Sequence, residues 1–161
     1  MKVAFTGHRP PKGRLTYSHM SEADKLAVRC VRRFLADNKA ELCIVGGALG
    51  FDTLAARAAF QQSISYHVYV PFTGQESKWP VEAQRRYHKM LELADKVIVV
   101  SAGGFSPRAM QVRNEAMVDA CDHLVAWWDG ASGGTWNCIQ YAGSVGVPFT
   151  NLYMQPTNIQ L

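Results

Sequence analysis

The 161-residue chain predicts a single α/β domain of Rossmann-like, doubly wound architecture with a mostly parallel sheet. Three observations predict it. Strand and helix signals alternate from end to end, the strands are short and rich in Val and Ile, and Gly-rich segments twice separate a strand from the helix that follows. Apolar strands alternating with amphipathic helices favour a parallel sheet covered on both faces. Right-handed crossovers then place ligands at the carboxyl ends of the strands, near the point where strand order reverses.

The elements follow in order. Residues 2–6 form a short apolar strand stopped by Gly7. In residues 21–37, Leu26, Cys30, Val31, Phe34 and Leu35 recur at helical spacing, and Ser21 is placed to cap them. A strand at 41–45 runs into Gly46-Gly47, and a helix is expected at 51–62. Residues 66–70 are β-branched and aromatic, closed by Pro71. Helical periodicity returns at 79–93. Residues 95–100, with Val97-Ile98-Val99-Val100, read as a buried strand. A helix at 107–120 tolerates Pro107 in its first turn. A strand at 123–127, a helix at 134–145 and a closing strand at 147–152 complete a domain over residues 1–152, leaving 153–161 as a tail.

Composition narrows the function classes. Lys and Arg number 17 against 13 Asp and Glu, a net charge of +4. This mild excess suits an anionic ligand. No apolar run approaches the ~20 residues of a spanning helix, and no secretory leader is legible, so a cytoplasmic protein without a membrane partner is expected. Cys30, Cys43, Cys121 and Cys138 are widely spaced within apolar segments and read as reduced core residues, with no metal site. No cofactor is expected.

Three segments after strands carry the candidate chemistry. The first is Thr6-Gly7-His8-Arg9-Pro10-Pro11-Lys12, a turn rich in donors suited to phosphate. The second, Gly46-Gly47-Ala48-Leu49-Gly50-Phe51-Asp52, opens a helix, and its glycines would let an anion approach main-chain N–H groups. It matches neither a Walker A loop nor G-x-G-x-x-G. Asp52 reads either as an N-cap or as a partner for a ribose hydroxyl or base edge. The third, Asp129-Gly130-Ala131-Ser132-Gly133-Gly134-Thr135, again sets a glycine pair before a helix. Arg113-Asn114-Glu115-Ala116-Met117 adds a cation and an amide on the preceding helix. Trp79, Trp127, Trp128 and Trp136 suit core or interface packing, with base stacking as the alternative.

Together these motifs resemble the SLOG superfamily, which joins the LOG phosphoribohydrolases with the DprA/Smf DNA-processing proteins. The YpsA-like branch is the most similar, through Thr6-Gly7-His8-Arg9-Pro10, Pro71-Phe72 with Gln75 and Trp79, and Asp129-Gly130 followed by Gly133-Gly134-Thr135. The resemblance covers roughly residues 1–150 and implies a Rossmannoid fold that binds nucleotides or nucleotide-derived molecules. LOG enzymes pair an arginine, in a motif that Arg113…Met117 resembles, with a glutamate. Here the glutamate position falls on Asn137, which supplies no negative charge to an oxocarbenium-like transition state.

Three readings follow. The first is a sensor or sequestering protein for an ADP-ribose- or NAD-like ligand. In it Gly46, Gly47, Gly50, Gly133, Gly134 and Thr135 hold phosphates, Arg9 and Arg113 supply charge, and Asp52 or Asn114 meets a ribose. The second is a nucleotide hydrolase using Arg113 with Asp52, Glu115 or Asp129. The third is single-stranded DNA binding through Arg29, Arg32 and Arg33. A homo-oligomer is expected from the pairing of LOG-type relatives and the apolar area of the tryptophans.

Overall fold

A computed structural model describes residues 1–153; all of the tail expected at 153–161 except Tyr153 lies outside the described residues. The elements run β1 (Lys2–Gly7), α1 (Glu22–Asp37), β2 (Leu42–Val45), α2 (Phe51–Gln61), β3 (Ser65–Val70), α3 (Val81–Leu93), β4 (Lys96–Val99), α4 (Pro107–Asp119), β5 (His123–Trp127), α5 (Gly134–Ser144) and β6 (Phe149–Asn151). A single 3-10 turn, Lys12–Arg14, interrupts the segment between β1 and α1.

The sheet order is β4-β3-β2-β1-β5-β6, with every pairing parallel. The chain therefore winds outward from β1 to β4, crosses back to β5, and winds the other way. The seam between β1 and β5 is the topological switch point. Alternation along each strand divides the core in two. Val3, Phe5, Cys43, Val45, Val68 and Val70 pack against α1, α2 and α3. Ala4, Ile44, Leu124 and Ala126 pack against Met117 and Val118 of α4 and Cys138 and Ile139 of α5. The winding direction sets which helices cover which face.

All four cysteines are free and buried, and burial pushes the Cys43 and Cys138 thiols up to about 12. The buried reading of β4 needs correction. Val97 is 42% and Val99 51% exposed, because β4 is an edge strand paired only with β3 and α3 leaves its outer residues uncovered. Helix α3 also starts later than its periodicity predicts. Pro80 sits at its N-cap and disfavours helical geometry at Trp79. Trp79 instead packs edge-on against Tyr87, with centroids 5.3 Å apart.

Before α1 the chain is tied down by a capping box. Ser21 Oγ accepts from Asp24 N at 3.1 Å, and Asp24 accepts from Ser21 N at 3.0 Å and Thr16 N at 2.9 Å. His19 lies in this tied loop, 6% exposed. Burial, then the charges of Arg86 and Arg57, push its imidazole from 6.5 down to about 4, against the attraction of Asp24. The unfolded chain takes up this proton near 6.5, whereas the folded ring accepts it only near 4. Stability is therefore lost progressively as pH falls through that window, and this group costs nothing above it. Urea unfolding midpoints at about pH 7 and about pH 4.5 should differ more for the wild type than for His19→Gln.

Candidate functional site

A cavity of about 350 Å³ lies at the carboxyl ends of β1 and β5, over the switch point. Its basic lining consists of His8, Arg9, Lys12 and Arg113, and Asp52 is the one carboxylate among its lining residues. The loop after β1, the loop before α5, and Arg113 and Asn114 of α4 therefore meet in one place. The two prolines after Arg9 line it as well.

The loop before α5 presents unpaired amides. Gly133 is the N-cap, with φ 138 and ψ −163, and no side chain caps the helix. The first intrahelical bond runs from Asn137 N to Gly133 O at 2.9 Å. The N–H groups of Gly134, Thr135 and Trp136 consequently have no partner among the described residues, as the first turn of a helix dictates. Such a terminus favours an anion through both hydrogen bonding and its dipole. The φ of Gly133 lies in the region that favours glycine, while a Cβ added there would meet no heavy atom within 4 Å. Backbone conformation, not crowding, thus demands glycine there. Thr135 is buried and lines the cavity.

The loop after β2 is placed differently from the sequence expectation. Gly46, Gly47 and Gly50 do not line the cavity; Ala48 and Asp52 do. Asp52 is not the N-cap of α2, which is Gly50. Its carboxylate turns back into the loop and accepts from Gly46 N at 3.0 Å and Ala48 N at 3.3 Å, so these amides are already satisfied. The Gly46 carbonyl accepts from Arg113 Nη1 at 2.5 Å and from Gln75 Nε2 at 3.4 Å. A Cβ on Gly46 would strike Arg113 and Asp52. Gly46 is thus a packing seat that lets Arg113 of α4 reach the end of β2, whereas Gly47 gives room to Gln75, Val68 and Tyr87, and Gly50 to the loop after β1.

Asp52 and Arg113 are both about 5% exposed. Burial pushes the Asp52 carboxyl up, opposed by the Arg113 charge and the two loop amides. Burial likewise lowers Arg113, opposed by Asp52. Arg113 Nε also donates to Asn114 Oδ1 at 3.0 Å, which fixes the amide of Asn114 beside the cavity.

Two further bonds brace the walls. His8 Nε2 lies 2.7 Å from Asp129 Oδ1, joining the segments that follow β1 and β5. Asp129 is held below the ordinary carboxylate range, first by the Ala131 N–H and also by His8. Trp127, 2% exposed, donates from Nε1 to Gly13 O at 2.9 Å and anchors the turn that carries Lys12. Trp128 and Trp136 stack with centroids 4.9 Å apart beside the loop before α5.

Several candidates fall outside the cavity lining. Asp129 braces it from outside. Glu115 is near Tyr141 and Asp119. Asn137 lines an open groove between α4 and α5. Arg29, Arg32 and Arg33 occupy the exposed side of α1. Met110 and Met117 line the cavity and were not singled out from the sequence as ligand contacts. Their spacing with Arg113 and Asn114 (i, i+3, i+4, i+7) is the signal that identifies the stripe.

Comparison with known proteins places these features in a wider group. The model of the YspA SLOG family (YpsA) matches residues 4–142. The SPbeta prophage-derived protein YoqJ of Bacillus subtilis (strain 168) is 34% identical over 135 residues, covering 74% of this chain and 78% of that protein. DNA processing protein A from Helicobacter pylori, described with a single-stranded DNA binding mode, superposes with a TM-score of 0.64 at 21% identity. That match covers 92% of this chain and 63% of the other. The molybdenum cofactor binding protein of Rippkaea orientalis superposes with a TM-score of 0.58 at 17% identity, covering 92% and 73%. The chain spans less than two thirds of the DNA processing protein it matches.

Proposed function

Because this chain belongs to the YspA SLOG family, we propose that its principal cavity binds a nucleotide-derived small molecule of the ADP-ribose or NAD type, as a sensor or sequestering protein. The observation that carries this reading is the uncapped N-terminus of α5 opening on a cavity whose lining holds Arg9, Lys12 and Arg113 against a single carboxylate. Phosphate oxygens sit on the Gly134 and Thr135 amides, with Arg9 and Lys12 as counter-charges. Thr6 and His8 add polar contacts, and Gly7 keeps the end of β1 slim. The methionines of α4 and the prolines after Arg9 give a base or ribose apolar surface, and Asn114 offers an amide to a hydroxyl. The cavity, about 350 Å³, lies at the small end of the range for ligand sites and so encloses one nucleotide half of such a ligand, with the rest reaching past its mouth.

Three arrangements weigh against the alternatives. A glycosidic hydrolase needs an ionised carboxylate facing the ribose; Asp52 lines the cavity, but its Oδ2 is tied to two loop amides, which turns the group toward its own loop. Neither Glu115 nor Asp129 lines the cavity. Arg29, Arg32 and Arg33 share no cavity with the Gly133 loop, so single-stranded DNA would have to bind elsewhere.

Thermal unfolding with ADP-ribose and with AMP tests the reading. At a hundredfold excess over Kd the ligand should add about 2.7 kcal/mol and raise Tm by about 5–10 °C. The Gly133→Val/Gly134→Val variant should lose that rise. A rise that survives the double substitution would place the phosphates elsewhere, and no rise with either compound would retire the nucleotide assignment. Chromatography of the same mixtures should show no product. A product peak that disappears in Asp52→Asn would make the protein a hydrolase.

A further inference from the structure

A second cavity, of about 270 Å³, lies between α2 and α3 and shares no lining residue with the first. Ala56, Tyr66 and Met90 give it an apolar floor, and Phe60, 53% exposed, stands at its margin. Arg57 from α2 and Arg86 and Lys89 from α3 face it as well, and no carboxylate lines it. Lys89 has a partner in Glu92 at 3.6 Å. Arg57 and Arg86 form no ion pair among the described residues.

His19 closes the cavity from the loop before α1. It is 94% buried, since only 6% of its surface is exposed, and its Nε2 has no hydrogen-bond partner. Arg86 Nε is likewise buried without one, although another nitrogen of the same guanidinium donates to Tyr17 O. Buried donors without acceptors are costly. Arg86 Nε is such a donor, and His19 Nε2 is a second buried nitrogen without a partner; with Arg57 beside them, an anionic acceptor would satisfy the site. The neutral imidazole of His19 donates from Nε2 in one of its tautomers.

We propose that this cavity is a second binding site, for a small amphipathic oxyanion: a carboxylate or phosphate ester on a compact apolar body. The headgroup is held by Arg57 and Arg86 with His19, and the body rests on the apolar floor. The site is independent of the nucleotide reading, because none of its residues touches the principal cavity.

The probes are benzoate and phenyl phosphate, with benzyl alcohol and inorganic phosphate as controls. Binding is read from the His19 imidazole resonances, assigned with His19→Gln. Either aromatic anion should move these resonances saturably, and the one that binds tighter identifies the headgroup. Benzyl alcohol, and inorganic phosphate at equal concentration, should bind at least about tenfold more weakly, as should both aromatic anions to Arg57→Gln. Arg57 is exposed, so that variant keeps its core. Gly133→Val/Gly134→Val should leave the titration unchanged, which separates failure here from failure of the principal site. The proposal is overturned if neither anion saturates, if Arg57→Gln binds as the wild type does, or if either control matches the aromatic anions.

Discussion

Asp52→Ala should cost about 3–5 kcal/mol of folding free energy, a range typical of removing one partner from a buried charge network. The alanine leaves the Gly46 and Ala48 amides without their acceptor. It also leaves the buried Arg113 guanidinium without the carboxylate that offsets its charge. Each orphaned buried donor costs about 1–3 kcal/mol. Asp52→Asn should fall between alanine and wild type, since one amide oxygen still accepts while the negative charge is gone. Urea unfolding at neutral pH measures both, with the slope watched for departure from two-state behaviour. A loss below about 1 kcal/mol for alanine would mean that the loop after β2 is held by something other than this carboxylate.

Gly50→Ala should cost about 2–4 kcal/mol and should also weaken ligand binding in the principal cavity. Gly50 has φ 88 and ψ −122, a conformation open almost solely to glycine. A Cβ there would lie 2.5 Å from the His8 carbonyl oxygen and 2.9 Å from Pro10 Cδ. The loop after β1 would have to retreat, taking Arg9 and Lys12 with it. The two readouts therefore move together: a lower Tm without ligand, and a smaller rise with ADP-ribose. Gly104→Ala is the control, because no heavy atom within 4 Å opposes its Cβ and its φ is not in the glycine region; it should change either readout by no more than about 0.5 kcal/mol. An unchanged ligand-induced rise in Gly50→Ala would show that the position of the β1 loop does not govern binding.

The alternation of strands and helices was legible because each element repeats its apolar residues at its own period. The Ser21 cap and the strand at His123–Trp127 are cases where local chemistry and final structure agree. Exposure of Val97 and Val99 was not legible, since an apolar run reads alike at the centre and the edge of a sheet; strand order alone distinguishes them. At the cavity, glycine pairs marked both loops but did not reveal which would face a ligand. That depends on where Asp52 points, and a side chain that folds back onto its own loop leaves no periodic trace. Gln75, which reaches the Gly46 carbonyl and the Tyr87 hydroxyl, was visible only through family likeness. Its contacts join residues far apart in the chain, which spacing does not encode.

The internal bracing of the principal cleft has a kinetic consequence. Asp52 ties the loop after β2, His8 meets Asp129 across the strand ends, and Trp127 pins Gly13. The chain itself thus dictates the shape that a guest must meet. Little segmental ordering remains to oppose association, so affinity is spent less on entropy. Capture should proceed in a single phase, steered by the positive lining and slowed by added salt. Discrimination among guests then falls chiefly on how fast each one leaves.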